Sequence, residues 1–336
     1  MGLKTDVKCR SAGITAIGSH LPEGIITNDD LVATGLNTTS KWIVEKTGIA
    51  SRRKAAPDEC ATDLAEKAAK KCMKAARINP DEIDLLISSG TGDYYIPTNS
   101  NLIAERLGTE NAVAVDIPNY CSAFNYSLTV AEKFIADCTY DNVLIVGAEI
   151  TSRFTDYTDR TTCIFFGDGA GAALVSPVDE GYGILSSYLK TAAGDKMVLS
   201  FPGGGTINPT SYETIKKRMH YIRMDGKAIW DFAIKAFPEA VREAVKQAGL
   251  TVKDIDLVIP HQANSNIIKR GMEELGLPMT KTFTNLHKYG NTTSASQIIA
   301  LDEAIQQKKI KKDDNIVLAG FGAALSYGAN VIKWAY

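Results

Sequence analysis

Three residues of this chain have the types and settings to do acyl chemistry together: Cys121, His261 and Asn291. Cys121 stands in Asp116-Ile-Pro-Asn-Tyr-Cys-Ser-Ala-Phe124, where Pro118 and Asn119 end an apolar run and a helix begins at about the cysteine. A thiol at a helix start feels the positive end of the dipole and unpaired N–H groups, which favours thiolate, a good nucleophile toward a thioester. The other reading of Cys121 is a small buried hydrophobe. His261, in Ile259-Pro-His-Gln-Ala-Asn264, sits between an apolar strand and a helix start, a place that a satisfied core histidine also occupies. Asn291, in His287-Lys-Tyr-Gly-Asn-Thr-Thr-Ser294, lies in a glycine turn and is equally able to cap the helix that follows. Taken together they are a nucleophile and two neutral donors, which can hydrogen-bond a thioester carbonyl as it becomes an enolate. His20 and His220 lie in polar, loop-like surroundings, and His287 reads as structural or as rim; none is given a role.

The elements that must position these residues repeat. Asp81-Glu-Ile-Asp-Leu-Leu-Ile87 matches Lys253-Asp-Ile-Asp-Leu-Val-Ile259, and Asp141-Asn-Val-Leu-Ile-Val-Gly147 matches Asp314-Asn-Ile-Val-Leu-Ala-Gly320, at offsets of 172 and 173. Two matches at nearly one offset point to a duplication of about half the chain. Helical periodicity over Asp63–Ile78 and Ala240–Leu250 leads into the apolar runs Leu85–Ile87 and Leu257–Ile259, which read as buried strands. Ser122–Ala136 reads as a helix before strand Val143–Val146, and Thr293–Gln306 as a helix before strand Ile316–Leu318. Alternating strands and helices make an α/β chain. The boundary falls near Ser176-Pro177-Val178-Asp179, which gives halves of 1–177 and 178–336 related by a pseudo-two-fold axis. Ligand sites in α/β folds lie at strand carboxyl ends. Cys121, after strand Ala112–Val115, His261 and Asn291 all fall where the halves meet. The stretch Gly320–Gly328 is a glycine- and alanine-rich turn whose backbone N–H groups can approach a ligand, or whose small residues pack a strand tightly. Phe166-Gly-Asp-Gly-Ala-Gly171 lacks the spacing and context of a dinucleotide loop, because Ala172–Val175 continues as a strand.

Composition narrows the classes. The chain has 336 residues, enough for a large core or for about two domains of ~150 residues. A net charge of −2 argues against a nucleic-acid binder. The six cysteines include no C-x-x-C pair and are too sparse for a disulfide scaffold, so a reduced cytoplasmic setting is expected, with no metal. The start MGLKTDVKCR lacks the apolar stretch of a secretory signal, Asp6 breaks the myristoylation pattern, and no apolar run is long enough to span a membrane.

From about Ile14 to Trp334 the chain resembles the β-ketoacyl-acyl-carrier-protein synthase III family of the thiolase superfamily. The resemblance rests on Lys41-Trp-Ile-Val-Glu-Lys-Thr-Gly-Ile49, Tyr120-Cys-Ser-Ala-Phe124, Tyr157-Thr-Asp-Arg160, Phe166-Gly-Asp-Gly-Ala-Gly-Ala172, Ile259-Pro-His-Gln-Ala-Asn264, Tyr289-Gly-Asn-Thr292 and the Gly320–Gly328 turn. It implies a five-layered αβαβα thiolase fold and a homodimer. It also implies a ping-pong reaction with no cofactor. An acyl group passes from acyl-coenzyme A to Cys121, a malonyl group on an acyl carrier protein or similar donor loses carbon dioxide, and the enolate attacks to give a β-ketoacyl product. By the same resemblance His261 and Asn291 stabilise the enolate, the N–H groups of Cys121 and Ala323 form the oxyanion hole, and Phe321 lines the donor side. Trp42 and Arg160 match positions that hold the coenzyme A adenine, and Met224 belongs to the substrate-binding set.

The departures bear on the substrates. Tyr120 and Ala123 stand where alanine and glycine are common, and Ala323 where glycine is usual. Ile96 and Thr151 occupy positions where larger side chains limit acyl length, so a primer longer or more branched than acetyl is expected. Lys46 replaces an arginine near the coenzyme A phosphate. Asn266 and Glu273-Glu274 replace basic residues linked to carrier docking, with Lys269 and Arg270 one turn earlier. No cysteine follows Cys163, which excludes the second catalytic cysteine of a thiolase. Two other readings stay open: an acyltransferase that uses no decarboxylation, and a non-catalytic subunit of a heteromeric synthase.

Overall fold

The computed structural model describes residues 9–336; the N-terminal segment read above for a leader lies mostly outside them. The first half runs β1 (Ser11–His20), β2 (Gly24–Thr27), α1 (Asn28–Ala33), α2 (Ser40–Thr47), β3 (Ser51–Lys54), α3 (Ala61–Ala76), β4 (Leu85–Ser88), α4 (Asn99–Leu107), β5 (Val113–Asp116), α5 (Ala123–Ala136), β6 (Val143–Glu149) and β7 (Gly169–Val178). The second runs β8 (Gly183–Thr191), β9 (Leu199–Ser200), α6 (Tyr212–Lys216), β10 (Arg223–Met224), α7 (Gly226–Gln247), β11 (Leu257–Pro260), α8 (Ser265–Leu275), α9 (Leu286–Tyr289), α10 (Ser296–Gln306), β12 (Asn315–Phe321) and β13 (Ser326–Lys333).

Two mixed sheets form the frame. The first has strand order β1-β7-β6-β4-β5 and the second β11-β12-β13-β8. Strands β4, β5 and β6 pair parallel, as do β11 and β12, while β7 and β13 return antiparallel. The chain leaves the first sheet at Val178 and enters the second at Gly183, so the crossing lies at 179–182, just past the boundary expected from the sequence.

The apolar surfaces dictate the layering. Phe124, Leu128, Ala131 and Ile135 of α5 and Ile298, Leu301 and Ala304 of α10 share one core with Ile145 and Val175 of the first sheet and Ile316 and Leu318 of the second. These two helices are therefore buried on several sides and form the middle layer. The alanine-rich stripe of α3 (Ala65, Ala68, Ala69) covers the outer face of the first sheet, and α7 and α8 cover the second. The result is a five-layered αβαβα thiolase fold.

Two local expectations change. The helix expected from Ala240 begins at Gly226, where the Asp225 carboxylate accepts the Ala228 N–H at 3.0 Å. The apolar stripe continues upstream through Ala233, Ala236 and Phe237, and Pro238, which discourages a longer helix on sequence grounds, is accommodated inside it. His20 closes strand β1 and is not in a loop.

A buried polar network ties the middle layer to the second sheet. The Asn125 Nδ2 of α5 donates to the Leu318 carbonyl at 3.0 Å and to Asn330 Oδ1 at 2.8 Å. Asn330 Nδ2 in turn donates to Thr129 Oγ1 at 3.1 Å and Ser187 Oγ at 2.9 Å. Asn330→Ala strands these partners without water, and the expected loss is about 1–3 kcal/mol, read as a lower denaturant midpoint. An unchanged midpoint would show that the network adds no stability.

Candidate active site

The two half-chains meet through their glycines. A Cβ on Gly320, at the end of β12, would lie 3.0 Å from the Cys121 carbonyl oxygen. A Cβ on Gly147, in β6, would lie 3.1 Å from the Ser294 carbonyl oxygen. Only bare backbone permits this approach. It sets the single turn Tyr120–Ser122 that leads into α5 against the turn Thr293–Ala295 that leads into α10.

Cys121 is 4% exposed. Gly322 lies directly against it: an added Cβ would fall 2.6 Å from Cys121 Cβ and 2.9 Å from Sγ. The packing around the sulfur works against the thiolate expectation. Burial, and then the nearby Glu149 carboxylate, push the thiol up to about 12, against the opposing pull of the Ala323 and Cys121 N–H groups. The α-helix proper starts only at Ala123, so its first turn lies beyond the sulfur.

His261 follows β11, where its N–H donates to the Ala319 carbonyl at 2.8 Å. Nδ1 lies 2.6 Å from Ser296 Oγ, and the ring meets Phe321 edge-on with centroids 5.6 Å apart. Burial lowers the imidazole to about 3, so the ring is neutral in ordinary buffers. Asn291 is clamped by the motif that resembled a nucleotide loop. Its N–H donates to the Phe165 carbonyl at 2.9 Å and its carbonyl accepts from the Gly167 N–H at 3.0 Å. Gly290, at φ 70°, makes the turn possible; a side chain there would sit 2.7 Å from the Phe165 oxygen. The Asn291 Oδ1 accepts from the Thr293 N–H at 2.9 Å, which leaves Nδ2 as the group free to face the cavity.

Two cavities share Cys121. One, of about 80 Å³, is bordered by Cys121, His261, Asn291, Phe321, Gly322 and Met224. The other, of about 270 Å³, is bordered by Cys121, Glu149, Thr151, Phe154, Phe201 and Ala323. The structure thus brings together Cys121, His261, Asn291, Phe321 and Met224 on one side and Thr151 and Ala323 on the other. A surface cleft of about 920 Å³ around His20, Lys54, Glu59, Lys67 and Arg153 contains none of them.

The remaining residues lie elsewhere. Ile96 is 81% exposed and borders neither cavity of its own chain. Asn266 spends its amide on the carbonyls of Glu45 and Lys46, both at 3.0 Å, and so fastens α8 to the end of α2. Lys46 is exposed on the last turn of α2. Arg160 stacks over the Trp42 ring at 5.2 Å while donating to the Asn37 carbonyl at 2.8 Å; this pair stands outside both cavities. Among the described residues, no group of three metal-ligating side chains stands together.

Sequence reasoning missed Glu149, Ser296 and Gly322. The signal for Glu149 was available: it is an acid directly following the apolar run Val143–Ala148.

Family comparison bears directly on this arrangement. Models described as 3-oxoacyl-[acyl-carrier-protein] synthase III match residues 115–193, and its C-terminal part matches 245–334. A β-ketoacyl-[acyl-carrier-protein] synthase III of Caldanaerobacter subterraneus is 44% identical, with 97% of this chain and 98% of the relative aligned. The chain belongs to the β-ketoacyl-[acyl-carrier-protein] synthase III family. Another synthase III, from Clostridioides difficile, is 43% identical over 96% of this chain and 98% of its own. The crystal structure of the Aquifex aeolicus synthase III superposes with a TM-score of 0.89 at 36% identity, covering 96% of this chain and all of the other. A priming β-ketosynthase of the R1128 polyketide pathway superposes equally well at 31% identity, with 99% of each chain covered.

In a synthase III built this way, Gly322→Ala drives a methyl into Cys121 and is expected to cut acyl loading more than tenfold while far-ultraviolet circular dichroism is unchanged. Full loading would show that the sulfur has room to move. The neutrality of His261 also has a consequence for pH. Its depressed value keeps it uncharged from pH 5 to 8, so the condensation rate should show no imidazole limb in that range; a limb near pH 6.5 would contradict the burial account.

Proposed function

We infer that this enzyme loads an acyl group from acyl-coenzyme A onto Cys121 and condenses it, with loss of carbon dioxide, with a malonyl thioester to give a β-ketoacyl product. The convergence of Cys121, His261 and Asn291 on one cavity carries this reading. The Cys121 sulfur attacks the thioester carbonyl, and the N–H groups of Cys121 and Ala323 receive the developing oxyanion. The malonyl thioester then enters the smaller cavity. As its carboxylate leaves as carbon dioxide, negative charge collects on the thioester oxygen, where His261 Nε2 and Asn291 Nδ2 donate. Two neutral donors in a dry cavity stabilise that charge without first neutralising the malonyl carboxylate, and Phe321 keeps water from the path. The enolate carbon attacks the acyl-cysteine, and the Cys121 thiolate departs and is reprotonated. These steps need no cofactor.

The 270 Å³ cavity beside Cys121 supports a primer larger than acetyl. The family's name supports an acyl carrier protein as the malonyl donor. The face of α8 is poorer in free positive charge than its composition implies, because Arg270 pairs with Glu274 at 2.6 Å and Glu273 at 3.7 Å. A homodimer is supported by the open edge of β5, where Val113 and Val115 are exposed, and by the exposed Tyr94, Tyr95 and Ile96 beside it. That none of the six cysteines forms a disulfide supports a reducing, cytoplasmic setting. Among the described residues no helix is long and apolar enough to cross a membrane.

Intact-protein mass after incubation with a panel of acyl-coenzyme A thioesters tests this directly. One acyl mass is expected on the wild type and none on Cys121→Ser. His261→Ala and Asn291→Ala should load normally but release carbon dioxide from malonyl carrier protein ~10²–10³-fold more slowly. Loading followed by transfer without carbon dioxide would replace the condensation with simple acyl transfer.

A further inference from the structure

The larger cavity beside Cys121 has two unlike walls. Phe154, Leu199, Phe201 and Ile222 make one, with the two phenylalanine rings edge to face at 5.3 Å. Thr91, Tyr120, Glu149 and Thr293 make the other. Beside that second wall lies a further pocket of about 140 Å³, bordered also by Tyr94 and Tyr95 of the exposed loop and by Asp116 and Pro118. The two spaces share Thr91, Tyr120 and Glu149, so these three side chains form the partition between them.

Two members of the partition are fixed by hydrogen bonds. Glu149 accepts from Thr91 Oγ1 at 2.6 Å and from Ser294 Oγ at 2.7 Å. Asp116, in the further pocket, is also satisfied, because its carboxylate accepts the Asn99 and Ser100 N–H groups at 3.0 and 2.8 Å. Tyr120 differs. It has the largest side chain of the three, and no hydrogen bond among the described residues holds its phenol. Its backbone places it. Tyr120 has φ 50°, in the left-handed region where a bulky residue is an outlier and strain is stored. The turn is held from both halves of the chain. Asn119 Nδ2 donates to Ser122 Oγ at 3.0 Å, and Asn119 Oδ1 accepts from Ser326 Oγ at 3.3 Å. A tyrosine is thus kept where the backbone suits glycine, one residue before the nucleophile.

We propose that Tyr120 is a specificity-determining residue whose ring closes the acyl cavity off from the further pocket and so limits the length of the primer. The inference rests on Cys121 as the acyl acceptor of the proposed function. A chain carried on the Cys121 sulfur lies along the apolar wall and ends at the partition. Without the ring, the end of a longer chain enters the further pocket. Bulk is what matters, since the phenol oxygen has no partner to lose.

The test is competition. Wild type and variants are incubated with equal amounts of butyryl- and octanoyl-coenzyme A, and the two acyl adducts on Cys121 are compared by intact-protein mass. Wild type should favour butyryl. Tyr120→Gly, which also suits the left-handed turn, should raise the octanoyl-to-butyryl ratio about tenfold or more, the discrimination that one methylene supplies in a fitted pocket. Tyr120→Phe should keep the wild-type ratio; a ratio that follows the glycine variant would assign the effect to the hydroxyl and overturn the proposal. If Tyr120→Gly does not fold, Tyr120→Asn removes the ring and still tolerates positive φ, and it should move the ratio the same way. An unchanged ratio in the folded variant overturns the proposal, whether the ring sets no limit or the partner subunit fills the pocket. A wild type that already prefers octanoyl overturns it equally. Loading of neither thioester by wild type would count against the proposed function, whereas butyryl loading with an unmoved ratio would count against Tyr120 alone.

Discussion

The arrangement hangs on two places where a carbonyl oxygen of one half rests on a bare Cα of the other. Gly320 under the Cys121 carbonyl and Gly147 under the Ser294 carbonyl let the two turns leading into α5 and α10 sit against the opposite strand ends. A methyl at either position would push the halves apart. Everything catalytic follows from that closeness, since residues 121, 261 and 291 belong to segments distant in sequence and share a cavity only because the strand ends and helix starts meet at one axis. The middle layer makes the closeness durable. Both α5 and α10 are enclosed by the two sheets, and the Asn125–Asn330 network pairs the amide hydrogens that the enclosure buries.

The same burial decides the chemistry. A site this dry penalises every charge, and the groups in it have adapted in three ways. His261 stays neutral and is oriented by Ser296; Asn291 is neutral by nature and is oriented by its own Thr293 turn. Cys121 stays a thiol. Burial pushes the Glu149 carboxyl up, against hydrogen bonds from Thr91 and Ser294. Neutral donors cost less to bury than charged ones, and they respond to charge that develops during reaction without attracting it beforehand. A cation in the place of His261 or Asn291 would bind the malonyl carboxylate itself and stabilise the ground state.

Much of this was legible in the linear chain because the signals were local. Strands such as Leu85–Ile87 and Ile316–Leu318 announce themselves as short apolar runs, the duplication shows in two matched segments, and glycine turns mark where Cys121 and Asn291 are held. The misreadings came from effects that only packing creates. The start of α7 lies upstream of Ala240 because the cost of Pro238 inside a helix is overridden by the apolar packing of Phe237 and its neighbours on β12 and β13. The thiol of Cys121 was judged from its helix alone, whereas its burial in the packed site pushes it the opposite way.

A duplicated frame could have carried two equivalent sites, and the reason it carries one lies in two positions. In the first half the helix-entry residue is Cys121, and the strand residue that faces it from the other half is Gly322, which leaves the sulfur open to two cavities. In the second half the matching residues are Ser294 and Glu149, and the carboxylate closes over the hydroxyl. The vacancy on one side is the condition for substrate access. The filled position on the other side ties Ser294 to Glu149. Symmetry supplies the close approach of the halves, and its local failure at Gly322 and Glu149 leaves Cys121 open to its cavities while its counterpart Ser294 is held by a carboxylate.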